Sequence, residues 1–364
     1  MKRLIPVLLA LCLLLCACGS GNGDTAPTTA ATEPTTVPTQ APTTEATAAP
    51  TTEATVPPTE GELLYTHPLT GEALAAPMTN RLFAASLGNT AKALPQHSIG
   101  QADILYEILA EGSATRLVAI YSDLRSIPQI GSIRSGRTYL LDLAYSYNAA
   151  LAHCGTSVYA DRFISNYDPP HLDAMYHGEF YRNQDRLSAG YDLEHTLFIG
   201  GQTLYDLYEA NNYDITVAED TTYGLNFAQE ATPEGEAAAA ITIGFIAGKT
   251  TTANYDADTG LYTLYQYDQD MIDGNTGEKV AFKNVFVLHA DTNVISGEGH
   301  RSAELTGSGE GYFACGGQII PIQWHRDDYE SCFTYTLADG TPLYQGIGAS
   351  YIAVIPMEGT VSYE

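Results

Sequence analysis

Two nearly unbroken apolar runs, Ile104–Leu109 (ILYEIL) and 117–121 (LVAIY), stand on either side of a short EGSAT turn. A strand points successive side chains to opposite faces, so an apolar run without alternation has to be covered on both faces. The pair reads as a buried hairpin at the centre of a layered domain, and the rest of the chain has to supply material for two layers. Glu107 interrupts the first run. A carboxylate in a doubly covered strand needs a partner. Arg116, just beyond the turn, is the nearest base, and an ion pair between the two is expected.

After the hairpin comes GSIRSGR, residues 131–137. Apolar or aromatic residues then recur at 139, 140, 143, 144 and 147, a helical spacing that predicts a helix over 137–149. Arg134, Ser135 and Arg137 therefore sit where a helix begins, and unpaired N–H groups and the helix dipole favour an anion there. The P-loop pattern GxxxxGK[ST] does not occur. Residues 149–152 form a third apolar run ending at His153-Cys154-Gly155. Neighbours on a strand face opposite ways, which argues against a Cys154–His153 catalytic pair. Thr156 or Ser157 is placed to cap a helix running to about residue 166. The stretch from His171 to Gly200 is dense in polar groups, including Arg182, Asp185, Arg186 and His195. It has no HExxH or comparable ligand spacing, so neither a metal nor a cofactor is expected.

From about residue 240 the pattern changes to short β-type runs punctuated by DADTG, DGNTG, GG and ADG turns. Asn254, Asp256 and Asp258 resemble the start of a calcium loop, but Thr259 and Tyr265 occupy the positions that need Gly and Glu, so hairpin turns are expected instead. A Cys315–Cys332 bridge is the local disulfide option, and it is disfavoured because the two fall on outer strands of a meander. The expected fold class is α+β (mixed α/β): an N-terminal αβ domain over 62–215, a connector over 216–235, and a smaller β-rich domain over 236–364.

Residues 1–18 carry Lys2 and Arg3, an apolar core and Leu15-Cys16-Ala17-Cys18 before Gly19. This has the form of a lipoprotein signal peptide with a lipobox, predicting a lipid on Cys18 that anchors the protein to the membrane from the extracytoplasmic side. Residues 19–61 are Thr-, Ala- and Pro-rich, with APTTEAT occurring twice, and read as a disordered linker. The net charge is −27, which excludes nucleic-acid binding by bulk electrostatics. Against that background no lysine occurs between Lys92 and Lys249, whereas Arg116, Arg125, Arg134, Arg137, Arg162, Arg182 and Arg186 do. Arginine is the better residue for geometrically fixed anion contacts.

With HPLTGE, QADILYEILAEGSATRLVAIY, IGSIRSGRTYLLDLA, the FYR and DR pair near 180–186, and GHRSAELTGSGEGYFACGGQIIPIQW all present in order, the chain resembles the YerB-like lipoproteins, the domain-of-unknown-function 3048 family. The resemblance implies a two-domain extracytoplasmic lipoprotein and supplies no activity. Cys154 stands where the family commonly has glycine, and Leu193-Glu194-His195-Thr196 departs from the family pattern except at His195. Two functions remain open. One is a cell-envelope binding or scaffold protein whose partner is a wall polymer or envelope protein, with Arg116, Arg134, Ser135, Arg137, Arg182 and Arg186 as an anion-binding surface. The other is a phosphotransferase or hydrolase acting on phosphorylated or wall-linked glycans, with Glu107, Asp185 or His195 as acid or base.

Overall fold

The fold is taken from a computed structural model that describes residues 65–364. The lipid site expected at Cys18 and the 19–61 linker lie outside the described residues. The first half contributes β1 (Phe83–Asn89), β2 (Ile104–Leu109), β3 (Thr115–Tyr121), α1 (Thr138–Tyr145), β4 (Ala150–His153), α2 (Val158–Tyr167), β5 (His171–Asp173), α3 (Gln184–Ser188) and α4 (Gly201–Ala210). The second half contributes β6 (Glu236–Ala237), β7 (Ala240–Ile246), β8 (Lys249–Asp256), β9 (Leu261–Gln266), β10 (Asn284–Ala290), β11 (Gly307–Cys315), β12 (Gln318–Arg326), β13 (Ser350–Pro356) and β14 (Thr360–Tyr363).

The two halves share one 11-stranded sheet, in the order β6-β12-β11-β10-β13-β2-β3-β1-β4-β5, with a short Thr334–Thr336 strand added on β12. The hairpin β2–β3 lies inside it, buried along its whole length, as an unalternating apolar pair requires. The last long strand, β13, slots in parallel between β10 and β2. One face of the large sheet packs on the smaller sheet built from β7, β8, β9 and β14, through Leu105, Leu117, Tyr351, Ile241, Phe245 and Leu264. The other face is covered by α1 and α2, where Leu140, Leu143 and Phe163 meet Tyr106, Val118 and Ile352. Capping sets α2: the Ser157 hydroxyl accepts from Ala160 N at 3.2 Å.

The α+β expectation is corrected to a β-rich fold: among the described residues strands make up 42% and helical turns of all kinds 15%, with four α-helices, all short. The helix predicted over 137–149 ends at Tyr145, and Asn148 turns the chain with a φ of 49°. Helices are thus reduced to covers on a sheet that runs through both halves.

The expected Glu107–Arg116 pair is also corrected. In the β2–β3 ladder Glu107 lies opposite Leu117 and Ile108 opposite Arg116. Cross-strand partners share a face and neighbours along a strand do not, so the two charges project to opposite sides of the sheet. Glu107 instead meets Lys249 of β8 at 2.9 Å, both fully buried. Thr115, Asn89, Thr251 and Tyr351 complete its shell at 2.7, 2.9, 3.0 and 2.7 Å. Burial alone would raise Glu107's pKa, but the Lys249 charge and these hydrogen bonds outweigh it and hold the carboxyl below its ordinary value. A second buried pair, Asp142 with Arg326 at 2.8 Å, ties α1 to β12.

Candidate functional site

Strands β10, β13, β2, β1, β4 and β5 run in one direction, since each is parallel to its neighbour or separated from it by the antiparallel β3. Their carboxyl ends therefore share one edge of the sheet, the edge at which open sheets with parallel strands hold ligands. The 131–137 loop is laid along this edge by its backbone. Gly88 N donates to Ser132 O at 3.2 Å, Arg134 N to Ser86 O at 2.8 Å, Cys154 N to Arg134 O at 3.0 Å, and Gly136 N to Gly155 O at 2.9 Å. Gly136 lies against the imidazole of His153, where an added Cβ would meet ring carbon Cγ at 3.2 Å. The Ser86 hydroxyl donates to Ser135 O at 3.2 Å. Each of these contacts fixes the position of the arginines the loop carries.

Arg116 lies at the start of β3, next to the end of β1, and is 5% exposed. Its guanidinium makes no hydrogen bond among the described residues, and its Nε is buried without a partner. Its one ion pair is a long one, Nη2 to Glu111 Oε2 at 3.7 Å. Burial first, then the charge of Arg134 and, more weakly, that of Arg137, pull its pKa down to about 10 against the raising effect of Glu111. Arg137 is bonded through Nε to Glu111 and through Nη1 to Gly136 O at 2.9 Å. Arg134 holds Glu194 twice, at 3.0 Å to the carboxylate and 2.8 Å to the backbone carbonyl. Arg301, from the hairpin after β10, reaches Gly112 O at 3.3 Å in the same turn as Glu111, and its Nε is also buried without a partner. Four guanidinium groups thus face two carboxylates, in a chain whose net charge is −27.

The helix that starts here has a bare end. Arg137 is the N-cap of α1 and makes no side-chain cap bond, and the first turn contains no acid. Neither of the usual means of satisfying the first N–H groups is in place. His195 borders the cluster, with Nε2 3.4 Å from Glu194 Oε1 and Nδ1 buried without a partner. Burial lowers its pKa, and Arg134 adds to that effect.

The remaining sequence candidates lie elsewhere or are engaged. Arg186 is buried, stacked on Tyr191 and Phe198, with its guanidinium bonded to the carbonyls of Ala93, His195 and Pro95. Arg182 donates to Leu193 O at 2.7 Å. Asp185 is exposed on α3. Glu107 is enclosed with Lys249 on the face of the sheet opposite Arg116. Sequence reasoning missed Glu111, Glu194 and Arg301. Glu111 had a signal, an acid in the turn preceding Arg116; Arg301 is brought in by a distant hairpin, and its place in the GHRSAEL motif did not tie it to this edge.

Residues 69–214 match the N-terminal domain, and residues 241–352 the C-terminal domain, of a protein family of unknown function, DUF3048. A predicted lipoprotein of Bacillus subtilis (strain 168), YerB, is 26% identical over 267 residues, covering 71% of this chain and 77% of that protein. The crystal structure of the YerB protein from Bacillus subtilis superposes with a TM-score of 0.70 at 24% identity, covering 82% of this chain and 99% of the other, so the fold is shared. With both domains matched in order over most of its length, the chain belongs to the DUF3048 family of proteins of unknown function.

Proposed function

We propose that this chain is an extracytoplasmic lipoprotein, anchored through a lipid on Cys18, whose folded part binds an anionic group of a cell-envelope polymer at the Arg116, Arg134 and Arg137 cluster. The observation that carries the reading is Arg116. A buried guanidinium with an unpartnered Nε and a single 3.7 Å ion pair is destabilising by several kcal/mol unless an acceptor reaches it. Here it lies beside two further arginines and an uncapped helix start. A phosphate-like anion would supply acceptors to all of these at once. The lipobox and the kinship with YerB support the location. An enzymatic role on phosphorylated glycans is less well supported, because Glu107 lies on the opposite face of the sheet, closed on Lys249, and Asp185 is exposed on α3.

Calorimetric titration with inorganic pyrophosphate tests the reading. The intact protein binds, and Arg116→Gln or Arg134→Ala weakens binding about tenfold to a hundredfold with the fold retained. No binding by the intact protein, together with clear destabilisation of both variants, would make these arginines structural and remove the proposal.

A further inference from the structure

The last residue of β4 and the first residue of β5 form a histidine pair that the anion site does not use. His153 Nδ1 lies 3.1 Å from Gly155 O, and His153 Nε2 lies 3.0 Å from His171 Nδ1, with the two rings stacked 5.2 Å apart. A carbonyl oxygen only accepts, so the His153 proton sits on Nδ1. Burial lowers both pKa values, that of His153 to about 4, so both rings are neutral near pH 7. A neutral imidazole has one N–H. His153 Nε2 is therefore an acceptor, His171 must donate to it from Nδ1, and His171 Nε2 is left with a lone pair and no partner among the described residues.

His171 lines a cavity of about 360 Å³ together with Asp161, Asp173, Tyr176, Asn211 and Tyr213. Ser165 and His177 also line it, and acceptors predominate on the walls. Asp173 Oδ1 accepts from Gly155 N at 2.8 Å and Met175 N at 2.9 Å, leaving Oδ2. Asp161 Oδ1 accepts from the Thr156 hydroxyl, leaving its own Oδ2. Asn211 Nδ2 donates one N–H to Leu207 O at 2.8 Å, leaving the amide oxygen and one N–H. The Tyr213 hydroxyl donates to the His171 carbonyl. No lysine or arginine lines the cavity, and the Tyr176 ring beside it is 84% exposed.

We infer that this cavity is a second binding site, for a ligand bearing a primary ammonium group. Such a group brings three donors and a positive charge to walls that offer acceptors, two carboxylates and an aromatic face. A phosphate or carboxylate would meet lone pairs and like charge. The site is thus opposite in sign to the arginine cluster, and its success or failure is independent of that reading. The ammonium could come from an amino sugar or from an aminoacyl group, and two probes distinguish them.

The test is ligand-observed NMR titration of the detergent-solubilised full chain with glucosamine, alaninamide and the uncharged N-acetylglucosamine. One or both amines bind, and the one that does names the source; N-acetylglucosamine does not. Asp161→Asn, an exposed position, and His171→Gln each weaken amine binding about tenfold with an unchanged circular dichroism spectrum. Three results would overturn the inference: no binding of either amine, equal binding of N-acetylglucosamine, or an unchanged affinity in folded Asp161→Asn.

Discussion

Replacing Lys249 by Met removes one partner of a fully buried ion pair and leaves Glu107 charged in the core. Losing one member of such a pair costs about 3–5 kcal/mol. Thr115, Asn89, Thr251 and Tyr351 still donate to the carboxylate, which places the loss near the lower end, about 3 kcal/mol. At roughly 2–4 °C per kcal/mol, the melting temperature falls by roughly 6–12 °C. The pH dependence carries the sharper test. In the native protein Glu107 has a lowered pKa, so its contribution is present above the ordinary value of 4.5 and is lost as pH falls through the folded value. In the variant, burial acts without Lys249 and raises that pKa, so the penalty is largest at alkaline pH and is relieved as the carboxyl protonates. Urea melts at pH 8 and pH 5 should show the gap between native and variant narrowing on acidification. A gap below about 1 kcal/mol, or one that is the same at both pH values, refutes the ion pair as the link between β2 and β8.

Ser157→Ala removes the cap of α2 and should lower stability by about 1 kcal/mol in denaturant melts, with Ser157→Gly costing less. Gly201→Ala places a methyl 2.0 Å from Leu124 O, where α4 begins against the 124–127 turn, and should destabilise by about 1–3 kcal/mol without altering pyrophosphate binding. Cys18→Ala should release the protein from the membrane fraction and abolish palmitate labelling; retention with normal labelling counts against the lipid anchor.

The arginine cluster explains why an acidic protein keeps guanidinium groups at one edge of its sheet. Glu111 and Glu194 hold Arg137 and Arg134 in place, and the shared Glu111 leaves Arg116 underpaired. On the proposed reading that inequality is what leaves room for an anion, and it depends on three segments meeting: the β2–β3 turn, the 131–137 loop and the turn holding Glu194.

What the residues determined by themselves were local matters. The unalternating runs 104–109 and 117–121 required a hairpin covered on both faces, Ser157 marked the start of α2, and GSIRSGR fell at a helix start because the 3.6-residue spacing began after it. The family could be read from motif order alone. The partner of Glu107 could not, because the register across the turn decides which face a side chain takes, and a shift of one residue reverses it. Lys249 opens a threonine-rich strand, β8, whose polar composition concealed it, and only the packing of the small sheet on the large one buries that lysine beside Glu107. The α+β expectation failed for the same reason. Hydrophobic period identifies an element and its buried face, whereas the insertion of β13 between β10 and β2, which merges both halves into one sheet, is set by long-range pairing that no local pattern encodes.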